Sequence, residues 1–447
     1  MLELTRNITF SRVPHPRAAT PLLAGLVVAI AIVALLTLGG HGGHGGHGVT
    51  QASTGHQGTS APAPTPASVV RASKRACASD SSATGAPGAT SAATARHPAL
   101  DSALTAALRT VRARLYAPAA TAAVVVCGRV VWAGATGILD VGSSRPATNQ
   151  SLFILNSAAK TFVATMVMQE IQAGHLALDT KLAEFYPALP NAQLITVRNL
   201  LNMTSGLRDY LYNPRVEAMM DRQPRHHWTI DQVLTALGSG LGTPRFAPGR
   251  GFQYSDTNYI VLGGILQHVT HSSIQRDLQR LIGRPLGITS ATFVPTPAAK
   301  SLIAHPYQLS RDGSFIGRWI PGYGVPSAVW GPVFTDGGLA ASSLDVARFA
   351  NALFAGRLVN ATGLQQMVHI GTGDYGFGLR SRSSDGHYWL GHRGYFGGFE
   401  AEDWTDPSRQ VTIAVGANLQ AAGGVPTSTR IWTAIEQAYD RQSAAAG

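Results

Sequence analysis

Residues 156–160 read Asn-Ser-Ala-Ala-Lys and stand at the head of a long apolar segment. A helix that begins here would place Ser157 and Lys160 on one face, one turn apart, so that the amine can take the hydroxyl proton. The chain has only four lysines, and only Lys160 follows a serine by three residues. We therefore predict a nucleophilic serine at 157. A surface lysine on an ordinary helix is the alternative, and the rest of the chain has to decide between the two.

The segment that follows Lys160 is apolar on nearly every side from Phe162 to Ile171. An all-apolar helix is typical of a buried position, and Gly174 is a suitable residue to end it. The partial positive charge at the start of such a helix would favour a serine alkoxide. This pattern predicts a nucleophile that solvent reaches only at the tip of a buried helix.

The order of elements along the rest of the chain indicates the fold class. Apolar residues recur at helical spacing from Leu100 to Leu115, and two strand-like runs follow at 122–127 and 130–133. Loop-rich and helical sequence separates them from a strand-rich last third and a final amphipathic helix around Ile435. This order predicts an α/β (α+β) fold, in which terminal helices flank an antiparallel sheet and an α-helical lobe is inserted.

Composition separates a globular body from an N-terminal extension. Hydrophobic residues make up 45% of the 447 residues and charged residues 13%, which favours a compact globule over a disordered chain. The net charge of +11 divides into +5 for residues 1–98 and +6 for the remainder. Because no basic cluster with interleaved aromatic residues occurs, we predict no nucleic-acid partner.

Residues 1–17 carry three arginines and precede an uncharged apolar stretch that we predict, over residues 18–40, to be a transmembrane anchor. About 20 residues at 1.5 Å each span roughly 30 Å, the thickness of a bilayer core. The next basic residue is Arg71, so residues 1–17 should be cytoplasmic and the body extracytoplasmic in a single-pass membrane protein. A cleaved signal sequence and a secreted body are the alternative.

Residues 41–97 are rich in His, Gly, Ala, Ser and Pro, which predicts a disordered tether before the body at 98–447. Histidines at its start are expected to be incidental, with metal chelation as the alternative. Cys77 lies in this low-complexity stretch and Cys127 in a predicted strand. We predict two free thiols, although an extracytoplasmic location would permit a disulfide.

Three short motifs occur in order along the body: Ser157-x-x-Lys160, Tyr254-x-Asp256 and His392-x-Gly394. Together they resemble the signatures of the penicillin-recognising serine hydrolases. The resemblance is to the branch of class C β-lactamases, serine D-alanyl-D-alanine carboxypeptidases and related esterases. It extends over residues 98–440 and implies a β-lactamase/transpeptidase-like fold. Further similar stretches are residues 197–207, 337–349 and 391–399.

The resemblance implies a role for each motif residue. Ser157 would form an acyl-enzyme, and Lys160, its ammonium form disfavoured by apolar surroundings, would act as base. Tyr254 would pass a proton to the leaving group. His392, where many relatives have lysine, would hydrogen-bond Tyr254 or Lys160. The backbone N–H groups of Ser157 and Tyr395 would form the oxyanion hole.

Three positions near the predicted site depart from the family pattern. Asp256 stands where asparagine is usual, and Asn156 precedes the nucleophile where a small residue is frequent. An aspartate offers only acceptor oxygens, whereas an asparagine also donates. The resemblance implies that Asp256 and Gly394 contact the substrate, as the corresponding residues do in the penicillin-recognising serine hydrolases.

Arg393 replaces the small hydroxyl residue common between the histidine and the glycine. Side chains alternate along a strand, so Arg393 would nominally point away from the site if His392 points into it. A long arginine curling to the rim could still bind a substrate carboxylate. The alternative is a surface arginine paired with Glu400 or Asp403.

These observations predict a membrane-anchored extracytoplasmic serine hydrolase that needs no metal or organic cofactor. The resemblance favours a D-Ala-D-Ala carboxypeptidase acting on peptidoglycan peptides. An esterase or a β-lactamase acting on small molecules is the alternative, and a penicillin- or peptidoglycan-binding sensor without turnover is another. These activities differ in the rate of deacylation, which motif spacing does not determine.

Overall fold

The protein is described by a computed structural model for residues 64–77, 97–223, 226, 228–293, 297–309, 315–316, 335–421 and 423–446. The strands, in chain order, are β1 (Ala119–Val126), β2 (Arg129–Asp140), β3 (Arg145–Pro146), β4 (Phe153–Ile154), β5 (Tyr307–Leu309), β6 (Phe315–Ile316), β7 (Ala340–Ala341), β8 (Arg380–Ser384), β9 (His387–Phe396), β10 (Phe399–Asp406), β11 (Val411–Ala417) and β12 (Leu419–Gln420).

The α-helices, in chain order, are α1 (Pro66–Arg75), α2 (Pro98–Arg114), α3 (Ala159–Gln172), α4 (Val197–Leu201), α5 (Pro214–Arg222), α6 (Ile230–Leu237), α7 (Thr257–Thr270), α8 (Ile274–Leu278), α9 (Arg284–Leu286), α10 (Pro297–Leu302), α11 (Ser343–Phe354), α12 (Ala361–Met367) and α13 (Thr427–Ala446). A π-helical segment, Gln279–Gly283, joins α8 to α9.

A seven-stranded antiparallel sheet with the order β3-β2-β1-β11-β10-β9-β8 forms the centre of the fold. The first and last parts of the chain meet in it, because β1 pairs with β11. Strand β1 reads Ala-Ala-Thr-Ala-Ala-Val-Val-Val and is almost entirely buried, as expected for small and β-branched residues between two helical layers.

Helices cover both faces of the sheet. The terminal helices α2 and α13 lie on one face, where Trp389 of β9 meets Trp432 of α13 edge-on at 4.9 Å between ring centroids. Helices α3 and α11 lie on the other face, where Phe162 stacks on Phe349. The helical lobe is inserted between β4 and β8. The predicted architecture is therefore confirmed, and the buried helix after Lys160 is observed as α3.

Helix α1 contradicts part of the predicted tether. Val69 and Val70 are buried in the same core cluster as α3, and the Ser73 hydroxyl donates to the carbonyl of Phe354 at 2.5 Å. A short amphipathic helix docks here within sequence of low complexity. The expectation of a disordered tether over residues 41–97 is therefore wrong for residues 64–77.

The expectation of two free thiols is also wrong, because Cys77 and Cys127 form a disulfide with their Cα atoms 5.6 Å apart. Cys77 follows α1, which the core holds in place. Cys127 is not inside a strand but forms, with Gly128, the turn between β1 and β2, where both residues have positive φ. The bridge joins α1 to the sheet.

The predicted cytoplasmic residues 1–17 and the predicted anchor at 18–40 lie outside the described residues. Within the described ranges, every helix is too short or too polar to cross a bilayer.

Candidate active site

Ser157 lies in a 3₁₀ turn, Asn156–Ala158, that leads directly into α3. Its side chain reaches solvent, whereas Asn156 and Ala158 beside it are buried. Asn156 has a positive φ of 49°, a conformation that asparagine tolerates better than most residues. Its side-chain amide donates to the carbonyls of Phe396 at 3.3 Å and Phe399 at 3.2 Å, which ties the turn to the end of β9 and the start of β10.

Lys160 is fully buried and makes three hydrogen bonds through Nζ. It donates to Oγ of Ser157 at 3.0 Å, to Oδ1 of Asp256 at 2.5 Å and to the backbone carbonyl of Asp336 at 2.7 Å. An ammonium group has three N–H donors, so these three acceptors satisfy all of them. The structure thus places Lys160 against Ser157, and it gives Asp256 a partner within the protein.

The protonation state of Lys160 corrects our expectation. Burial by itself lowers the pKa of Lys160, but the Asp256 carboxylate at 2.5 Å, together with Asp336 and Tyr375, outweighs burial and raises the pKa above the usual lysine value. The apolar sequence around Lys160 correctly indicated burial. It did not reveal the carboxylate brought in from the start of α7. Lys160 rests as an ammonium ion paired with Asp256.

Two further acidic residues surround this ion pair. Asp209 accepts the backbone N–H of Asp256 at 3.2 Å, and burial together with the Asp256 carboxylate raises the pKa of Asp209 to about 7. Burial and Asp256 raise the pKa of Asp336 well above its usual range, and Tyr210 donates to its Oδ2 at 3.2 Å. Among the described residues, no group of acidic, histidine or cysteine side chains has metal-site geometry.

Tyr254 lies between two cations. Its ring centroid is 5.1 Å from Nζ of Lys160 and 5.2 Å from Cζ of Arg380. The buried Tyr254 hydroxyl has no hydrogen-bond partner among the described residues. The Ser157 side chain nevertheless lies near enough to influence the pKa of Tyr254. Burial and the Asp256 carboxylate raise the pKa of Tyr254 well above its usual value. The side chain therefore rests as a neutral phenol.

His392 is buried beside this group but does not make the predicted hydrogen bond to Tyr254 or Lys160. Its Nδ1 lies 2.8 Å from the Arg393 carbonyl and its Nε2 lies 3.3 Å from the Tyr375 hydroxyl. A carbonyl only accepts, so Nδ1 carries the proton and Nε2 accepts from Tyr375. Burial, then the cations of Arg380 and Lys160, lower the pKa of His392 well below its usual value.

Gly394 lies directly against the nucleophile turn. A Cβ atom at this position would collide with the Leu155 carbonyl and lie 2.6 Å from the Ser157 nitrogen. Strand β9 pairs with β8 only as far as Gly391, so its end faces the turn as an open edge. Tyr395 is the next residue in the chain after Gly394, so its backbone lies beside this contact. The structure therefore brings together the two residues predicted to supply the oxyanion hole.

Arg393 points away from the site. Its guanidinium lies 3.5 Å from the Thr429 hydroxyl on α13 and packs over the Tyr395 ring, 5.6 Å from its centroid. Side-chain alternation puts it on the face opposite His392. This orientation does not support the predicted substrate contact, which stays a prediction. The predicted alternative, an ion pair with Glu400 or Asp403, is not formed either.

We did not predict Arg380 from the sequence. It lies near the site, where we expected Arg393. Its guanidinium lies 5.2 Å from the ring centroids of both Tyr254 and Tyr375. Among the described residues, it makes no hydrogen bond or ion pair through its side chain. No motif marks it, because it lies on β8, a polar strand that pairs with β9.

The mouth of the site carries exposed aromatic side chains. Tyr212 is 85% exposed and Tyr395 is 57% exposed. Asp209, Asp256 and Tyr395 lie near enough to Tyr212 to interact with it electrostatically, which places all four groups near one another. A ligand at Ser157 would therefore meet aromatic surface as well as charge.

Comparisons with known proteins agree with this fold. The family model described as Beta-lactamase matches residues 105–435. A D-aminopeptidase from Brucella anthropi is 25% identical over 356 residues, 76% of this chain and 65% of that protein. Esterase EstB from Burkholderia gladioli is 32% identical over 199 residues, 42% of this chain and 50% of that protein.

The putative penicillin-binding protein PbpX from Bacillus subtilis is 25% identical over 269 residues, 60% of this chain and 62% of that protein. The chain thus spans less than two thirds of each of these three relatives. The crystal structure of D-amino acid amidase from Ochrobactrum anthropi has a TM-score of 0.65 and 24% identity. That match covers 77% of this chain and 99% of that one, and shows the fold alone. With the family match over most of the body, the chain belongs to the β-lactamase family of penicillin-recognising serine hydrolases.

Proposed function

We propose that this protein forms an acyl-enzyme on Ser157 and removes the last residue from peptides that end in D-Ala-D-Ala. The observation that carries the proposal is the side chain of Arg380, a cation beside Tyr254 without an acidic partner among the described residues. Tyr254 is the residue to which we assign protonation of the leaving group. In a carboxypeptidase the leaving group bears the terminal carboxylate, so a cation next to the proton donor is suitably placed to bind it.

The chemistry that we assign follows from the contacts at Ser157. Its Oγ attacks the peptide carbonyl, the Oγ–C bond forms and the C–N bond breaks. Tyr254, a neutral phenol at rest, gives its proton to the departing amine. The backbone N–H groups of Ser157 and Tyr395 stabilise the oxyanion. Water then hydrolyses the ester and restores the Ser157 hydroxyl.

A second candidate is an amidase or aminopeptidase that recognises a free α-amino group. The Asp256 side chain is 14% exposed beside Lys160, and Asp209 adds a second carboxyl. An ammonium group on the acyl side of the substrate would complement these acids. The names of relatives that act on D-amino acid derivatives, a D-aminopeptidase and a D-amino acid amidase, support the same candidate.

Substrate pairs distinguish the two candidates. Release of D-alanine is measured from an N-acylated peptide ending in D-Ala-D-Ala and from the same peptide with a C-terminal amide. Ammonia release is measured from D-phenylalanine amide with free and acetylated amines. We expect cleavage of the free-carboxylate peptide above all others, and none by Ser157→Ala. Preference for the free amine of the amino acid amide would replace this proposal with the second candidate.

The role of Arg380 is tested with a matched variant. Arg380→Gln should lower kcat/KM on the free-carboxylate peptide by roughly 10- to 100-fold, the effect of one lost charged hydrogen-bonding pair. It should leave the amidated peptide unaffected. Arg393→Gln is the control, because its guanidinium lies on the α13 side of the sheet. Equal losses on both peptides would show that Arg380 does not bind the carboxylate.

Covalent probes test the remaining alternatives of esterase, β-lactamase and sensor. Labelling by a fluorescent penicillin and by a fluorophosphonate is followed over time. A carboxypeptidase should keep both labels and turn over its peptide. Rapid loss of the penicillin label would indicate a β-lactamase, and fluorophosphonate labelling alone would indicate an esterase. Stable labels without any turnover would indicate a sensor.

We also propose that residues 18–40 anchor the body outside the cytoplasmic membrane. The basic residues 1–17 followed by an apolar stretch support this orientation. The Cys77–Cys127 disulfide supports an oxidising compartment. Protease added to intact protoplasts should release a soluble body. Survival of the full-length protein while an external control is digested would overturn this orientation.

A further inference from the structure

Lys160 has no free position for the serine proton. Its three N–H groups are held by Ser157, Asp256 and the carbonyl of Asp336 at 3.0, 2.5 and 2.7 Å. To accept a proton from Ser157, Nζ must first give one away. A backbone carbonyl is too weak a base to take it, and the Ser157 hydroxyl is the group being deprotonated. Only the Asp256 carboxylate remains among the three contacts.

We propose that Asp256 is the proton acceptor behind Lys160: as Nζ takes the Ser157 proton, it passes one of its own to Oδ1 of Asp256. This inference rests on acylation at Ser157 and deepens that proposed function. It assigns a purpose to the aspartate that replaces the usual asparagine, since an asparagine oxygen could hold the ammonium group but could not accept its proton. Asp256 acts through Lys160 and does not itself touch the reacting carbonyl.

The transfer conserves charge within the site. A lysinium–aspartate pair becomes a neutral amine and a neutral acid, so no net proton has to leave a fully buried lysine before attack. Charge separation in a dry site is costly, whereas this exchange removes it. The Nζ–Oδ1 distance of 2.5 Å requires little movement of either group.

The proton is accounted for through the whole step. The Ser157 Oγ–H bond breaks as the Oγ–C bond to the acyl carbon forms. One proton moves to Asp256 by way of Lys160. Tyr254 protonates the departing nitrogen as the C–N bond breaks, and the proton held on Asp256 is the one that restores the Tyr254 phenol. No oxidant, metal or further reactant is required.

Other ionisable groups around Lys160 do not replace Asp256. Asp336 contacts Nζ through its backbone carbonyl, and its Oδ2 accepts from the Tyr210 hydroxyl. Burial and the Asp256 carboxylate raise the pKa of Tyr254 well above its usual value, so Tyr254 is a phenol and not a base at rest. The groups that face the Lys160–Asp256 pair from the packed elements are Asp209, Tyr210, Tyr254, Tyr259, Asp336, Tyr375, Arg380 and His392. Among these, Asp209, with a pKa raised to about 7, titrates near neutral pH, and it accepts only backbone N–H groups.

The experiment compares the rates at which a fluorophosphonate labels the parent protein and Asp256→Asn between pH 6 and 9. In this reaction the Oγ–P bond forms and fluoride leaves, so the rate reports on Ser157 activation and not on peptide specificity. In the variant, Lys160 must lose a proton to solvent before it can act as base. We expect the variant to be slower at pH 6 by about tenfold or more and to approach the parent at pH 9.

Asp179→Asn is the control, since it removes an exposed carboxyl and leaves every side chain of the site in place. It should not reproduce the pH-dependent deficit of Asp256→Asn. Should the asparagine variant fold poorly, Asp256→Ala with added sodium formate gives a second measurement, and formate but not chloride should accelerate labelling at pH 6. The proposal is overturned if Asp256→Asn labels as fast as the parent at pH 6, if its deficit is the same at every pH, or if formate has no effect. A parent that does not label at all would instead refute the proposed function.

Discussion

The Tyr375 hydroxyl donates to Nε2 of His392 across 3.3 Å, and this contact fixes the histidine as a neutral ring. Its other nitrogen donates to the Arg393 carbonyl, so both ring atoms are committed. Burial and the nearby cations of Arg380 and Lys160 lower the pKa of His392 well below 6.5. We expect His392 to stay unprotonated from pH 6.5 to 8.

Nitrogen chemical shifts of the histidine rings measure this state directly, with His392→Gln to assign the signal. The shifts should show a proton on Nδ1 only and should not change over that range. Tyr375→Phe removes the hydroxyl that occupies Nε2 and should shift that nitrogen's signal. A protonation midpoint near 6.5 for His392 in the parent protein would contradict this account.

Gly394→Ala tests the contact between β9 and the nucleophile turn. The new methyl group would collide with the Leu155 carbonyl and the Ser157 nitrogen, which are backbone atoms that cannot rotate away. Displacing the nucleophile by about 1 Å lowers reactivity roughly 100-fold, and we expect a loss of that order in fluorophosphonate labelling. Gly423→Ala is the control, because a Cβ there meets nothing within 4 Å. Labelling of Gly394→Ala at the parent rate would show that the turn is not constrained by β9.

Asp403 on β10 makes the stability of the fold depend on pH. Its carboxyl is buried and has no hydrogen bond to any described residue, and burial followed by the neighbouring Glu402 raises the pKa of Asp403 to about 8. In the unfolded chain an aspartate titrates near 3.9. Between pH values of about 3.9 and about 8, Asp403 therefore carries a proton in the folded state and has lost it in the unfolded state. The unfolding free energy should therefore fall as pH rises, by about 1.4 kcal/mol per unit at most.

Asp403→Asn removes this contribution. Denaturant unfolding should find the variant more stable than the parent at pH 8.5, with the difference disappearing toward pH 4. Asp179→Asn, at an exposed position, controls for the loss of a carboxyl and should show no such trend. A parent-to-variant difference that is constant with pH would mean that Asp403 is ionised in the fold or solvated.

The disulfide between Cys77 and Cys127 should stabilise the protein by restricting its unfolded chain. The two cysteines are 50 residues apart, and a loop of this length corresponds to roughly 2–4 kcal/mol. Replacing both cysteines with serine should lower the unfolding free energy by that amount, measured in denaturant without reductant. Adding reductant should lower the parent to the same value and leave the variant unchanged. Equal stability of oxidised parent and variant would contradict a structural role.

The sequence was sufficient to predict the fold from the order of its elements. It also predicted Lys160, Tyr254 and His392 as neighbours of the nucleophile, because each of these residues lies in a short motif. Ser157 and Lys160 are separated by one helical turn, and Tyr254 and His392 begin two further motifs. The alternation of side chains on β9 also predicted the orientation of Arg393 that the structure shows. Helical spacing and strand alternation predict the direction of a side chain wherever a single helix or strand determines it.

What the sequence did not reveal depends on contacts between distant segments. The raised pKa of Lys160 requires Asp256, 96 residues away. Asp209 and Asp336 lie next to stretches that resemble the family pattern, and this position could have identified them as site residues. Tyr375 and Arg380 belong to no motif, so nothing in the sequence indicated them. Helix α1 was hidden by its composition, since its stability comes from docking on the core and not from its own residues.

The most direct test of the central claim, that Ser157 is the nucleophile, is mass spectrometry of the protein after reaction with a fluorophosphonate. The intact mass should increase by one adduct, and peptide mapping should place it on Ser157. Ser157→Ala should take up no label while keeping the parent's unfolding transition, because it loses one solvent-facing oxygen. An adduct on another residue, or labelling of the folded Ser157→Ala protein at the parent rate, would contradict the account.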